Sequence, residues 1–339
     1  MSATKSGELS SLFDEALSSG ERVSVGSFSV GGRRLLVRCV GDAHWDDLGR
    51  SLLRADDGPA DLTLDVWDPI ETGVRPARAD AELAALESHG EVLAFSPGAA
   101  ELRHVGADFD MLLEPHGRAT GWVSSSQVPG WHRLRPWQRI FVAALAADGA
   151  ESVHASMVAR AGAGVLISGP SGTGKSTTTF ACLAAGLQCL GDDAIAIDLD
   201  GGAPRASTVH ATVKVDVVEL ARYAAFEAQS DPIDDPDRDE RALRLGGFPS
   251  PLVTGSARVA AIAFPRLVDT PGSRTHPLPA SRAATELIRN ALSVDGNRLG
   301  PVFASMTELA EAVPCFVLEV GRDSAGLAAA VEGLIDAAA

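Results

Sequence analysis

Residues 165–180 read VLISGPSGTGKSTTTF. An apolar strand, Val165–Ser168, leads into a glycine-rich stretch and then into a helix over Ser176–Ala185. The pattern Gly169-x-x-x-x-Gly174-Lys175-Ser176 is that of a P-loop, and strand, loop and helix follow one another in the order its mechanism needs. Gly172 and Gly174 let the backbone turn its N–H groups inward with no Cβ in the way. Those amides and the helix N-terminus offer partial positive charge to phosphate oxygens. Lys175 is placed to reach the β- and γ-phosphates as a point charge, and the Ser176 hydroxyl to ligate Mg²⁺. Gly169, Pro170, Ser171, Gly172, Thr173, Gly174, Lys175, Ser176 and Thr177 are therefore read as the nucleotide-binding segment, with ATP and Mg²⁺ as ligands. The bland alternative is a glycine-rich turn that merely shares the pattern.

Gly186 stands where a glycine ends a helix, and residues 187–198 continue as LQCLGDDAIAID. Two adjacent carboxylates, Asp192 and Asp193, thus lie between two strands, one helix after the phosphate cradle. A solvated turn is the ordinary reading of such a pair. Phosphoryl transfer gives it another. One carboxylate serves the metal, and the other takes the proton of an attacking hydroxyl, since neighbouring anions near a cation have separable proton affinities.

The remaining composition narrows the class. The chain has 339 residues, enough for two ordinary domains, and 45% of them are hydrophobic, which supports a real core. A formal net charge of −16 argues against nonspecific nucleic-acid binding, which needs clustered Lys and Arg. The four cysteines, Cys39, Cys182, Cys189 and Cys315, show no CxxC spacing; Cys182 and Cys189 read as small core residues. The N-terminus lacks the pattern of a secretory signal, and no run approaches the roughly 20 apolar residues that span a bilayer. The expectation is a soluble protein of a reducing, cytoplasmic setting, with no membrane and no nucleic-acid partner.

Residues 1–20 are polar and read as a frayed segment. From Val23, VSVGSFSVGGRRLLVRCVG alternates about a Gly-Gly turn and predicts a hairpin. HWDDLGRSLLR predicts a short helix with Leu48, Leu52 and Leu53 on one face, and LTLDVWD a strand. VLAFSPGAAELRHVG, FDMLLEPHGRATGWVS and the stretch around Val128 predict further hairpins. Residues 21–134 are therefore expected to form a small β-rich domain, and Trp122, Trp131 and Trp137 to be core or domain-interface residues. His44, His89, His104 and His116 have no metal-ligand spacing. Residues 135–339 are expected to form an α/β nucleotide-binding domain, opened by a helix that starts near Pro136 and carries Ile140, Val142 and Leu145. QSDPIDDPDRDERALRLGGFPSP is acidic and Pro-rich, and predicts a long flap or a disordered loop.

His154 precedes a strand–turn–strand unit that runs into the P-loop. By chemistry alone a lone histidine there is either structural or functional. Its spacing adds to the motif. HisAlaSerMetVal at 154–158, GVLISGPSGTGKST, the helix and GLQCLGDD together resemble the C-terminal domain of HPr kinase/phosphorylase. They resemble more closely still the HPr-kinase-like kinases of peptide and natural-product gene clusters, the lasso-peptide tailoring kinases among them. The resemblance covers roughly residues 137–335 and extends to RVAAIAFPR at 258–266 and PLPASRAATELIRNAL after it. It implies a nucleotide-binding fold of the phosphoenolpyruvate carboxykinase type, ATP and Mg²⁺, and phosphate transfer to a hydroxyl, typically serine. It implies Asp192 as general base, Asp193 as the metal-side or positioning partner, and His154 near the transferred phosphate. Lys214, on a strand over His210–Val217, lies where relatives with small or peptide substrates often carry a basic residue; a surface lysine at a strand edge is the alternative. Arg205, Arg241 and Arg244 are further candidate phosphate contacts, with Arg244 delivered by closure of the flap.

The Glu-Met-Arg-Gly-x-Gly signature that HPr kinases carry after the Asp pair is absent, and STVHATVKVDVVEL stands in the region instead. The expected acceptor is therefore a serine-like hydroxyl of a peptide or a small metabolite, in a peptide-modification or natural-product pathway. The alternatives are an HPr-type serine kinase of sugar-transport regulation, a P-loop ATPase or nucleotide-binding regulator without a hydroxyl substrate, and a phosphoenolpyruvate carboxykinase-like activity. A homo-oligomer is among the assemblies expected.

Overall fold

The computed structural model describes residues 5–77, 90–96, 101–233, 239–246, 251–292 and 298–338. The fold is mixed α/β, with three sheets among the described residues. His89 and residues 97–100, where a hairpin turn is expected, lie outside the described residues.

The first sheet has eight strands. Val23–Val30 and Arg33–Val40 form the hairpin expected from the Gly31-Gly32 turn, with φ of 58° and 80° at the two glycines. Leu62–Trp67 pairs parallel with Arg33–Val40 on one side and with Arg118–Val123 on the other. Phe109–Glu114, Glu101–Gly106 and Glu91–Ser96 complete the sheet as an antiparallel meander. Both faces are covered, and the two-residue period of a strand sorts the side chains between them. Phe109, Met111 and Leu113 join the cluster packed by the helix Gln138–Ala147, while Leu112 between them joins the cluster packed by the N-terminal helix.

That N-terminal helix corrects the expectation for residues 1–20. Lys5–Leu17 is helical, and Leu9, Phe13 and Ala16 are buried against Val40, Trp67 and Trp122. Burying Leu9 and Phe13 stabilises by about 1.5–3 kcal/mol each, which outweighs the weak helix propensity of the intervening serines. Three smaller differences follow. No strand forms around Val128, where the chain turns instead. The second helix ends at Ser51, so Leu53 leaves the helical face for a two-residue strand. Trp137 and Trp122 are buried, but Trp131 is 40% exposed.

The second sheet is the larger, with helices on both faces. Lys175–Ala184 and Ser324–Asp336 pack on one face and Ala280–Arg289 and Leu299–Ala312 on the other. Its strand order places Gln188–Gly191, Ala155–Arg160, Ala163–Ser168 and Ser256–Leu267 side by side. Cys182 and Cys189 are fully buried in apolar clusters, as expected. The third sheet joins Thr212–Asp216, Glu240–Arg244 and Ser230–Pro232. Part of the acidic segment expected to be a flap or disordered is thus paired strand, with Thr212 opposite Arg244 and Asp216 opposite Glu240; residues 234–238 and 247–250 lie outside the described residues. No helix among the described residues is long and apolar enough to cross a membrane.

Candidate active site

Sheet parity gathers the candidate residues at one edge. Ala163–Ser168 ends in the glycine-rich loop, and Ser256–Leu267 runs parallel to it and ends beside it. Ala155–Arg160 is antiparallel to Ala163–Ser168, so the residue that precedes it, His154, starts at this same edge. Gln188–Gly191 is antiparallel to Ala155–Arg160 in turn, so Asp192 and Asp193 leave the sheet at the edge as well. A cavity of about 230 Å³ opens there, lined by His154, Ser171, Gly172 and residues 174–177, both aspartates, Lys214, Val215, Asp216, Glu219, Glu240 and Leu267.

The loop has the backbone that a phosphate cradle needs. Gly172 and Gly174 have φ of 80° and 109°, a region closed to most side chains, and a Cβ on Gly172 would meet nothing within 4 Å. The helix Lys175–Ala184 starts at Gly174. The Lys175 ammonium donates to the carbonyls of Gly169 (2.7 Å) and Pro170 (3.0 Å). Burial lowers its pKa, against the opposing pull of Asp192. Thr173 turns away and donates to Pro170 O at 2.9 Å, stitching the loop. At the far end, Gly186 (φ 92°) closes the helix in a Schellman turn, with Leu187 N–H on Cys182 O and Gly186 N–H on Leu183 O, both at 3.0 Å. The following strand is thereby aimed back at the cradle.

The two aspartates are buried, 3% and 8% exposed, and they face different ways. Asp192 turns to the loop: its Oδ2 accepts from Ser176 Oγ at 3.3 Å, and its Oδ1 from the Asp193 amide at 2.9 Å. Asp193 sits at φ 72°, a left-handed conformation that Asp tolerates better than most residues. That backbone twist sends its carboxylate to the opposite wall. There Oδ2 meets the guanidinium of Arg135 and Lys214 Nζ (3.3 Å), and Oδ1 lies 3.5 Å from His154 Nδ1. Asp192, rather than Asp193, is thus the carboxylate beside the Ser176 hydroxyl.

His154 Nδ1 donates to the Asp193 carbonyl at 3.2 Å, which leaves Nε2 as the accepting nitrogen of the neutral ring. Burial, helped by Lys175, lowers its pKa to about 4, so the imidazole is neutral at pH 7. Arg135 carries no motif, lies nearly sixty residues before Asp193, and was not among the expected site residues. Burial lowers its pKa to about 10, so it stays a cation at neutral pH. Its only local signal is its place just before Pro136 and Trp137, whose left-handed turn (φ 60° at Trp137) opens the helix Gln138–Ala147.

Lys214 is brought to the site: it stands on an edge strand, but points inward, with 21% of its side chain exposed. Arg244 is not. It is held on its strand by Asp47 (2.9 Å) and Asp231 (3.5 Å), away from the cavity lining. Arg241 donates to Ser230, and Arg205 to Ser256 Oγ at 3.1 Å, both outside the lining as well. Of the histidines without ligand spacing, His44 is buried against Trp137, and His104 against Phe109.

The donor set fits a magnesium nucleotide. Mg²⁺ is commonly held through one or two protein oxygens together with phosphate oxygens and water. The Ser176 Oγ and Asp192 Oδ2 pair, next to a cradle left open by Gly172, offers that arrangement.

No protein-family model matches the chain. No curated protein matches it either. Among solved structures, the Hpr(Ser) kinase/phosphatase from Coxiella burnetii is similar over 55% of this chain and 88% of that one, at 18% identity and a TM-score of 0.31. A likeness that slight decides neither fold nor function, and the residues of the site must carry both.

Proposed function

We propose that this chain is an ATP-dependent phosphotransferase with a hydroxyl acceptor, the glycine-rich loop 169–177 being its P-loop. The observation that carries the reading is one cavity lined by both aspartates, facing opposite ways, and by the loop whose lysine and serine stand at the helix N-terminus. Bound Mg-ATP would supply the transferable phosphoryl group and part of the charge neutralisation. The loop amides and Lys175 hold phosphate oxygens, and Ser176 Oγ with Asp192 Oδ2 would hold the metal.

Asp193 is the carboxylate left for the acceptor. Its Oδ2 is fixed by Arg135 and Lys214, and Oδ1, on the His154 side, receives the proton of the acceptor hydroxyl as the oxygen attacks phosphorus. A carboxylate beside two cations is a weak base. Phosphoryl transfer tolerates that, because its loose transition state asks mainly for an oriented hydroxyl and neutralised charge. The contacts therefore favour exchanging the two roles first expected: metal to Asp192, base to Asp193. The acceptor we propose is a serine-like hydroxyl of a peptide or small metabolite.

The test is incubation with γ-labelled ATP and a panel of peptides, hydroxyamino acids and small alcohols, with the labelled product identified by mass spectrometry. Asp193→Asn should lower transfer by roughly 10²- to 10⁴-fold and leave ATP affinity within about twofold. Asp192→Asn should raise the Mg²⁺ concentration for half-saturation by about tenfold or more. Hydrolysis of ATP at the same rate with and without every acceptor would favour the ATPase reading. Unchanged transfer in Asp193→Asn would remove the base assignment.

A further inference from the structure

Among the lining side chains that have no part in the chemistry above, one is apolar and exposed. Leu267, the last residue of the strand Ser256–Leu267, is apolar and 57% exposed, yet it borders a cavity whose walls are otherwise polar, glycine or the buried Val215. It is not a loose tip. Its neighbour Val268 donates its N–H to Val320 O at 3.0 Å, and a Cβ on Gly174 would stand 3.2 Å from Leu267 Cδ2. Leu267 is thus held against the rim of the phosphate cradle, with one face on the loop and the other open.

Its side of the cradle follows from strand order. Ser256–Leu267 is the direct neighbour of Ala163–Ser168 on one flank. Gln188–Gly191, which delivers Asp192 and Asp193, lies on the other flank, beyond Ala155–Arg160. The aspartates and Leu267 therefore stand on opposite sides of the loop. In phosphoryl transfer the attacking oxygen, the terminal phosphorus and the leaving bridging oxygen stand in line, so the rest of the nucleotide lies on the side of the terminal phosphate away from the acceptor. With the acceptor at Asp193, the nucleoside leaves the cradle on the Leu267 side.

We infer that Leu267 is the platform on which the base of the bound nucleotide lies, its exposed isobutyl group packing on one face of the ring. The inference rests on the phosphotransferase reading for the direction of the phosphate chain, and it adds the subsite that separates a nucleotide from inorganic polyphosphate. A flat heteroaromatic ring on an aliphatic side chain gains from burial of apolar area on both. Leu267 stands more than half exposed until something covers it.

The test is calorimetric titration of the wild type, Leu267→Ala and Leu267→Phe with Mg-ATP and, separately, with Mg-tripolyphosphate, neither requiring turnover. Truncation to alanine forfeits about 40–55 Å² of apolar contact, so Mg-ATP should bind about five- to tenfold more weakly. Mg-tripolyphosphate should stay within about twofold, and phenylalanine should restore the ATP affinity, because aromatic rings stack on bases. An equal loss for both ligands, or no loss for ATP, overturns the platform. Wild type that binds tripolyphosphate as tightly as ATP also overturns it, and leaves the phosphate cradle standing. Wild type that binds neither ligand removes the cradle and the platform together.

Discussion

His132 offers a sharp physical test of the packing behind the site. It lies on the short helix Gly130–Leu134, three residues before Arg135, and is 1% exposed. Its ring stacks on Phe109 at 4.8 Å and meets Trp137 edge-on at 5.0 Å. Neither ring nitrogen has a hydrogen-bond partner among the described residues. Burial holds its pKa well below the usual 6.5, and the nearby His44, His104 and His210 push the same way. The folded protein therefore keeps this ring neutral where the unfolded chain protonates it. Stability is unaffected by His132 well above pH 6.5 and is lost as the pH falls below it. At pH 5.0 an unfolded histidine of pKa about 6.5 is nearly all protonated, which costs the fold about 2 kcal/mol. Phenylalanine keeps a flat aromatic ring at the site and carries no proton. Urea unfolding of wild type and His132→Phe at pH 7.5 and 5.0 gives a double difference in which the other titrating groups, His44 and His210 included, largely cancel. The expected result is an acid loss about 2 kcal/mol smaller in the variant. At pH 7.5 the variant should be as stable as wild type or more so, since two unpaired buried polar atoms are removed. Equal acid losses in the two proteins would refute the argument that His132 is neutral in the fold.

Two further predictions probe the aspartate turn. Gly191 has φ 144°, and a Cβ there would lie 2.3 Å from the His210 carbonyl oxygen, so Gly191→Ala should cost about 2–4 kcal/mol in thermal unfolding and weaken the Mg²⁺ response by displacing Asp192. Arg135→Gln removes one of the two cations on Asp193; the phosphotransfer kcat should fall about 10- to 100-fold with ATP affinity within about threefold, and Arg135→Lys should recover part of the loss.

What was legible in the sequence was what is local. The cradle is written in contiguous residues, and its strand, loop and helix need only neighbours in the chain. The hairpins about Gly31-Gly32 and between Arg160 and Ala163 are local too. The aspartate pair was legible as a pair, but not which carboxylate faces Ser176, because that depends on a left-handed backbone at Asp193 and on the pairing of Gln188–Gly191 with Ala155–Arg160. Arg135 was invisible because only tertiary packing of the Pro136–Trp137 turn brings it across to Asp193. The acidic, Pro-rich stretch after Gln229 misled for the converse reason. Its composition signals a loop, while Glu240–Arg244 finds its partner nearly thirty residues earlier in Thr212–Asp216.

The two sides of the cavity also differ in what holds them. The glycine-rich loop is built within the second sheet and its helix. The side proposed for the acceptor leans on the first part of the chain. His210 Nε2 donates to Pro136 O at 2.9 Å and so ties the turn that carries Arg135 to the approach of the Lys214 strand. Ala211 N–H donates to Ser51 O at 2.8 Å, and Gly246 N–H to Arg50 O at 3.1 Å, anchoring two of the three strands of the small sheet to the helix of residues 43–51. Asp192 N–H donates to Thr212 O at 2.9 Å and passes the same support to the aspartates. A change that loosens residues 43–51 should therefore disturb Asp193 and Lys214 before it disturbs the cradle. In kinetic terms that is transfer lost ahead of nucleotide binding, the pattern that separates a phosphotransferase whose acceptor wall rests on its N-terminal residues from one in which those residues are an appendage.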